Sequence, residues 1–230
     1  MRLDKLVSDG TGWSRSMAAK AIRRGHVLVD DAVCRDPAIQ VSDGARVVAD
    51  GEPVVRVGRL VLALHKPLGV VSATVDPSER TVLDLLPESC VRAELRLAGR
   101  LDKDTTGLLI LTNDGELIHK LTHPRHHVEK EYLVDYDGVL EAPVARIAEG
   151  LELEDGTRCD PARFEPLGAQ RARLVLREGK YHQVRRMVAA CGGRVTALHR
   201  ARVGSYRLPE HLPAGAAVPL TAEEEATLLS

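Results

Sequence analysis

Residues 99–115 read GRLDKDTTGLLILTNDG. Asp102 stands between Arg100 and Lys103, just ahead of a Gly-punctuated apolar strand running from Leu108 to Leu111. A carboxylate placed there lies at the mouth of a buried sheet, in a positive field that favours its ionised form. Loops that start or end on a rigid strand are where catalytic groups are usually held. A lone Asp is ordinarily a solvated surface charge, so the weight rests on what surrounds this one. Asp104 is its local competitor and reads as structural, with Thr105 and Thr106 helping to hold the loop.

Working outward, LVLAL (60–64) reads as a buried strand. VEKEYLVDY (128–136) and RARLVLRE (171–178) alternate as half-exposed strands. Helices are expected at 115–122, 142–149 and 181–191, the last ended by Gly192 and Gly193. Strands with interspersed helices and no regular parallel-strand repeat predict an α+β domain on a mixed or antiparallel sheet.

Residues 1–58 read as a separate module, with RVGRL (56–60) as a linker and residues 59–230 as the second domain. Leu3, Leu6 and Val7 mark one face of a short helix. Ser14 caps a second, with Met17, Ala18, Ala21 and Ile22 inward and Ser16, Lys20, Arg23 and Arg24 on a different face. VLVDDAVCR and VVADGEPV follow as strand pairs around Asp-Asp and Asp-Gly turns. Two helices with a basic face on a small sheet resemble the S4 RNA-binding domain. Arg15, Lys20, Arg23 and Arg24 are then its candidate RNA contacts; such cations dock phosphates and do not by themselves read sequence.

Of 230 residues, 44% are hydrophobic but only 3% aromatic, so the core must be aliphatic. A formal charge of −1 hides separated blocks. Residues 1–26 carry six Lys and Arg against two acids, and residues 171–207 carry ten against one, Glu178. The segment 208–230 has four Glu and no Lys or Arg. Such blocks point to basic surfaces meeting a polyanion, RNA or DNA. Cys34, Cys90, Cys159 and Cys191 form no CxxC pair, which fits a reducing cytosol better than disulfides or zinc. No stretch approaches the length of a membrane span, and MRLDKLVSDG lacks a signal-peptide apolar region. A cytoplasmic protein without a membrane partner is expected.

Three further segments join the Asp102 loop. HKPLGVVS (65–72) ends a strand in a Lys-Pro turn whose glycine permits close backbone approach. PRHHVEKEYLV (124–134) leads a basic, His-rich loop into a strand carrying Tyr132. EGKYHQVRRM (178–187) turns a strand into a helix carrying His182, Gln183, Arg185 and Arg186 in its first turns. Such a helix start, rich in donors and cations, suits a phosphate or carboxylate. His119, His123, His126 and His127 lie close in sequence, but no acidic ligand or Cys accompanies them; RNA contact or surface placement fits them better than metal. The loop glycines match neither a Walker loop nor a dinucleotide fingerprint.

Taken in order behind the S4-like module, KPxG, GRLDxDTxGLLxLTNDG, HPRHHVEKxYLV and EGKYHQVRRM resemble the RsuA family of RNA pseudouridine synthases, from about residue 1 to residue 229. The resemblance implies isomerisation of a uridine in rRNA to pseudouridine, with no cofactor and no metal. Asp102 falls at the family's catalytic position. Tyr132 matches the tyrosine expected to stack on the extruded uracil, and Arg185 the Lys or Arg that pairs with the catalytic carboxylate. Arg186, about 100° further round the helix, is better placed for RNA backbone. Lys66, Arg100, Lys103, Arg125, His126, His127, Lys130 and Lys180 are the remaining candidate RNA contacts.

MRLDK, the PRHHxEKxYLV run and the His199 to Gly204 ending look closest to members acting on 16S rRNA of the small subunit. The expected partner is therefore 16S rRNA or a small-subunit assembly intermediate, met by a monomer. The alternatives are a sister enzyme acting on 23S rRNA and a non-catalytic rRNA-binding assembly factor. Two departures from the family pattern stand out: His65 where Asn commonly precedes Lys-Pro, and AGAAVPLT (214–221) without the basic residue usual before Leu-Thr.

Overall fold

The computed structural model describes residues 1–54, 58–87 and 94–230. Arg56 and Val57 of the expected linker, and Cys90, lie outside the described residues. The chain divides into two compact units, Met1–Leu60 with Pro87–Leu95, and Val61–Leu86 with Arg96–Ser230.

In the first unit, helices α1 (Leu3–Thr11) and α2 (Arg15–Arg24) pack on a four-stranded antiparallel sheet ordered β2-β1-β3-β4. Its strands are β1 (Val27–Val29), β2 (Ala32–Cys34), β3 (Val47–Ala49) and β4 (Glu52–Pro53). Both hairpins turn on two left-handed residues, Asp30 and Asp31 (φ 50° and 62°) and Asp50 and Gly51 (φ 48° and 86°). That turn matches the right-handed twist of the strands. Ser14 Oγ accepts from Met17 N at 3.2 Å, capping α2 as its sequence predicts.

Leu3, Leu6, Val7, Ala18 and Ile22 are buried. Met17 is not: 57% exposed, it lies about one-quarter turn off the Ala18–Ile22 seam, so its expected place in the core is corrected. Arg15 and Arg2 both reach the Asp4 carboxylate at 2.8 Å. Their hydrogen bonds outweigh the opposing effect of burial and hold that carboxyl down at about 2.

The second unit is built on a mixed sheet ordered β13-β5-β7-β11-β8-β10-β9, with β6 on β7 and β12 on β11. Its strands are β5 (Val61–Lys66), β6 (Arg96–Leu97), β7 (Thr106–Thr112), β8 (Lys130–Asp137), β9 (Arg163–Gly168) and β10 (Arg171–Leu176), followed by β11 (Arg194–Val203), β12 (Tyr206–Arg207) and β13 (Ala217–Pro219). Helices α3 (Gly115–Thr122), α4 (Pro143–Glu149), α5 (Gln183–Ala190) and α6 (Ala222–Thr227) intervene. The fold is α+β, as the alternation of strands and helices predicts.

Leu108 to Leu111 of β7 are at most 1% exposed. Each such side chain contributes roughly 1.5–3 kcal/mol when buried. The TNDG end of the opening motif is a helix start: Asp114 Oδ1 accepts from Glu116 N at 2.9 Å and Leu117 N at 3.1 Å. Among the described strands, β7 and β11 form the parallel pair, with His199 opposite Thr106 and Arg200 opposite Gly107. Gly107 makes this approach possible, since a Cβ there would collide with the Arg200 backbone. The pairing brings the Asp102 loop, which leads into β7, close to the centre of the sheet. Among the described residues no helix is long and apolar enough to cross a membrane.

Candidate active site

The loop carrying Asp102 is held by the segment that follows β5. Ser72 Oγ donates to Leu101 O at 2.6 Å and accepts from Leu101 N at 3.0 Å. Gly69 N donates to Lys103 O at 2.9 Å, and the loop closes on itself where Thr105 N donates to Asp102 O at 3.0 Å. Lys66 completes the brace. Its Nζ reaches Thr105 O at 2.9 Å, Pro67 O at 3.0 Å and Lys103 O at 3.4 Å.

Lys66 is fully buried, so its expected role as an RNA contact is corrected: the ammonium donates to the backbone carbonyls of the loop it braces. Burial pulls it down to about 8, against the charges of Asp104 and Asp102, which favour the ammonium. His65, beside it, bonds through Nδ1 to Leu212 O at 2.8 Å. Its ring meets that of His199 edge-on, centroids 5.6 Å apart.

Asp102 opens into a cavity of about 80 Å³. A buried water needs roughly 10–15 Å³, so the space has room for a small ring-sized guest. Tyr132 of β8, 9% exposed, forms part of the wall, and the polar side chains around it include Arg100, Thr105, Lys180, His182, Gln183 and Arg185. Asp102, Tyr132 and Arg185, far apart in the sequence, thus share one cavity.

The expected ion pair differs in detail. Arg185 Nη2 lies 2.8 Å from Asp104 Oδ2 and donates to Asp104 O at 3.2 Å, while Asp102 Oδ1 faces His182 Nε2 at 3.5 Å. Asp104 is the better-placed acceptor because its carboxylate and its backbone carbonyl both lie within reach of the one nitrogen, Nη2. Arg185 Nε is buried without a partner.

The turn before α5 is built around a buried carboxylate. Glu178 Oε1 accepts from Asp160 N at 2.9 Å and bonds Gln183 Nε2, while Oε2 takes Lys180 Nζ. Gln183 Oε1 in turn accepts from Lys180 N at 2.9 Å. Burial disfavours the Lys180 charge, but Glu178 outweighs it and raises the ammonium above its ordinary value. Neither Glu178 nor Gln183 stands out in the sequence as a supporting residue, and the place of His182 beside Asp102 was equally hidden. The one available signal was their position in the strand-to-helix turn.

The basic block at 171–207 is corrected most. Arg171 pairs with Asp135, Arg173 with Glu131 and Glu165, Arg177 with Glu129, and Arg194 with Asp137. Arg202 reaches Glu129 and Glu131, and Arg207 reaches Glu131. Arg186, expected on RNA backbone, pairs with Asp155. The block therefore cross-links the sheet to carboxylates from earlier strands. Burial would raise the Glu131 carboxyl, yet Arg207 and Arg202 more than offset it and hold it below its ordinary value.

Lys130 is half-buried on the Tyr132 face, and burial first, then the nearby Arg200 charge, pull it down to about 8. Lys103 turns away to Glu79 at 2.7 Å. Arg100, Arg125, His126 and His127 are exposed, as are Lys20, Arg23 and Arg24 of the first unit. The rings of His119, His123 and His126 gather with centroids 4.8–6.1 Å apart. Among the described residues, no group of three or more His, Cys, Asp or Glu is arranged to hold a metal ion.

Comparison with known proteins is consistent across the whole chain. The RNA pseudouridylate synthase family model matches residues 60–190, and the S4 domain matches residues 1–47. A protein of Yersinia pestis named ribosomal small subunit pseudouridine synthase A is 43% identical over 231 residues, covering 99% of this chain and 98% of that protein. Its namesake in Escherichia coli K12 is 42% identical, with all of both chains covered. A solved structure described as the crystal structure of pseudouridylate synthase superposes with a TM-score of 0.70 at 37% identity, covering 99% of each chain. Matched in both domains and along its whole length, the chain belongs to the RNA pseudouridylate synthases, isomerases of the RsuA type with an S4 domain at the N-terminus.

Proposed function

We propose that this protein isomerises a single uridine of 16S rRNA, the one at position 516, to pseudouridine. The observation that carries the reading is the Asp102 carboxylate opening, beside Tyr132, into a cavity sized for one ring. The names of the small-subunit relatives support 16S rRNA as the target. The reaction breaks the bond between ribose C1′ and uracil N1, turns the base, and rejoins it through C5; the C5 proton leaves and N1 gains one. Asp102 supplies the carboxylate that acts at the sugar. Tyr132 stacks on the extruded uracil and Arg185 supplies positive charge to the cavity.

A stacked or paired uridine must be flipped out to reach this cavity, at a cost of a few kcal/mol. Arg100, Arg125, His126 and His127, all exposed, contact the RNA around it, with Lys20, Arg23 and Arg24 of the S4 unit adding sequence-independent phosphate contacts. The enzyme is read as a monomer. A cytoplasmic setting follows from rRNA as substrate and is compatible with free Cys34, Cys159 and Cys191.

The test is nucleotide-resolution pseudouridine mapping of 16S rRNA, 23S rRNA and small-subunit assembly intermediates treated with purified protein. One new pseudouridine, at position 516 of 16S rRNA, is expected. A new site in 23S rRNA would move the target while keeping the chemistry. No new site in any substrate would overturn the enzymatic reading in favour of an rRNA-binding assembly factor.

A further inference from the structure

His182 has the backbone of a residue that ought to be glycine. Its φ of 47° and ψ of 32° place it in the left-handed region, immediately before α5. The left-handed residues Asp30, Asp31 and Asp50 sit in hairpin turns that require this geometry, while Ala142, like His182, adopts it directly before a helix but with no side chain to direct. No hairpin explains His182. Its side chain caps nothing on α5 and is not part of the packed core. It lies flat against Tyr181 instead, ring centroids 3.8 Å apart and planes 19° off parallel, and points Nε2 toward Asp102 Oδ1 at 3.5 Å. Strained backbone kept at a cavity wall is a reason to look for function.

We propose that His182 is the positioning residue for Asp102: its Nε2–H holds Oδ1, so that the second oxygen is turned to the ribose. This rests on Asp102 being the catalytic carboxylate. The turn is locked from behind, because Gln183 N donates to Lys180 O at 3.1 Å and Gln183 is tied to buried Glu178. Backbone constraint and the Tyr181 stack then fix the imidazole between them. Tyr181 is 76% exposed, so its outer face is open and its role toward His182 is to orient the ring. Arg185 is already engaged by Asp104, which leaves His182 as the ion-pair neighbour of Asp102. Other charged or titratable groups facing the pair are Arg100, Lys180 and Tyr132.

Nε2–H is a donor in both the Nε2–H tautomer and the imidazolium. Loss of His182 removes the imidazole that faces the carboxylate at 3.5 Å and leaves the Asp102 side chain free to turn. The decisive variant is His182→Gly, which accepts the left-handed backbone without strain and so folds.

A Tm at or above wild type, kcat lower by about 10- to 100-fold and RNA Kd within about twofold are expected. His182→Gln, which restores an N–H donor, should recover part of the kcat. Tyr181→Phe should match wild type, and Tyr181→Leu should lower kcat. A His182→Gly enzyme with wild-type kcat overturns the proposal, as does a loss confined to Kd or a His182→Gln enzyme no more active than His182→Gly. Asp102→Asn is assayed alongside. If it stays active, the assignment of the catalytic carboxylate has failed; if it is inactive while His182→Gly is normal, only the positioning role has.

Discussion

Arg185 is bound to Asp104, not to the carboxylate two residues earlier: Nη2 lies 2.8 Å from Asp104 Oδ2. The two aspartates of the LDKD sequence thereby divide the work. Asp104 anchors α5 to the loop, and Asp102 is left facing the cavity with His182. Asp104→Asn keeps an oxygen for Arg185 and leaves Asp102 untouched, so kcat should stay within about tenfold of wild type. Arg185→Lys, which replaces the planar guanidinium by a point-charge ammonium on a different stem, should cost more. Steady-state kcat for the two variants checks the order; an Asp104→Asn enzyme as inactive as Asp102→Asn contradicts it.

Glu131 is the hub of the back face of the sheet. Buried at 2% exposure, it serves Arg202, Arg207 and Arg173. Removing its charge leaves those guanidiniums without their shared partner, and Arg202 is itself only 12% exposed. Glu131→Gln should destabilise the fold by about 3 kcal/mol, the lower end for a broken buried pair, because Arg207 regains water. A chain of this size would lose roughly 6–12 °C in Tm. Thermal unfolding measures it, and a change under about 2 °C would show that the hub carries little.

Lys66 makes stability pH-dependent. Its folded value is about 8 against an ordinary 10.5. Between those values the unfolded chain binds more protons than the folded one, so stability rises with pH across that window and is flat for this group outside it. Lys66→Met lacks the effect. Denaturant unfolding at about pH 7.5 and about pH 10 should therefore show wild type gaining relative to the variant at the higher pH. A constant difference would mean that Lys66 keeps its ordinary value.

Arg23 and Arg24 are exposed at the C-terminal end of α2. Arg23→Glu with Arg24→Glu should weaken RNA binding and lower the salt slope of log K by about 1–2, one unit for each phosphate left unneutralised. Turnover at saturating RNA should hold, because both residues belong to the first unit and the cavity is lined by the second. Binding titrations at several salt concentrations decide it; an unchanged slope removes these arginines from the RNA interface.

Local chemistry was largely legible in the sequence. Alternation placed β8 and β10, the Asp-Asp and Asp-Gly pairs set both hairpins, and Ser14 capped α2. Asp102, Tyr132 and Arg185 were brought to one cavity. What was hidden depends on partners distant in the chain. Lys66 reads as a free cation until the carbonyls of Lys103 and Thr105 are folded over it. The arginines of 171–207 read as an RNA surface until Glu129 and Glu131, far earlier in the chain, meet them across the sheet. His182 could not be told from any other helix-start residue, because its left-handed backbone leaves no mark on composition or period.

The central claim is that Asp102 is the carboxylate that turns uridine into pseudouridine. Because the isomerisation expels the hydrogen at C5, tritium release from 16S rRNA labelled at uridine C5 reads it directly, with RNA Kd measured on the same samples. Wild type should release the label of one uridine per RNA, and Asp102→Asn should release none while binding within about threefold of wild type. Release by Asp102→Asn at the wild-type rate would contradict the account.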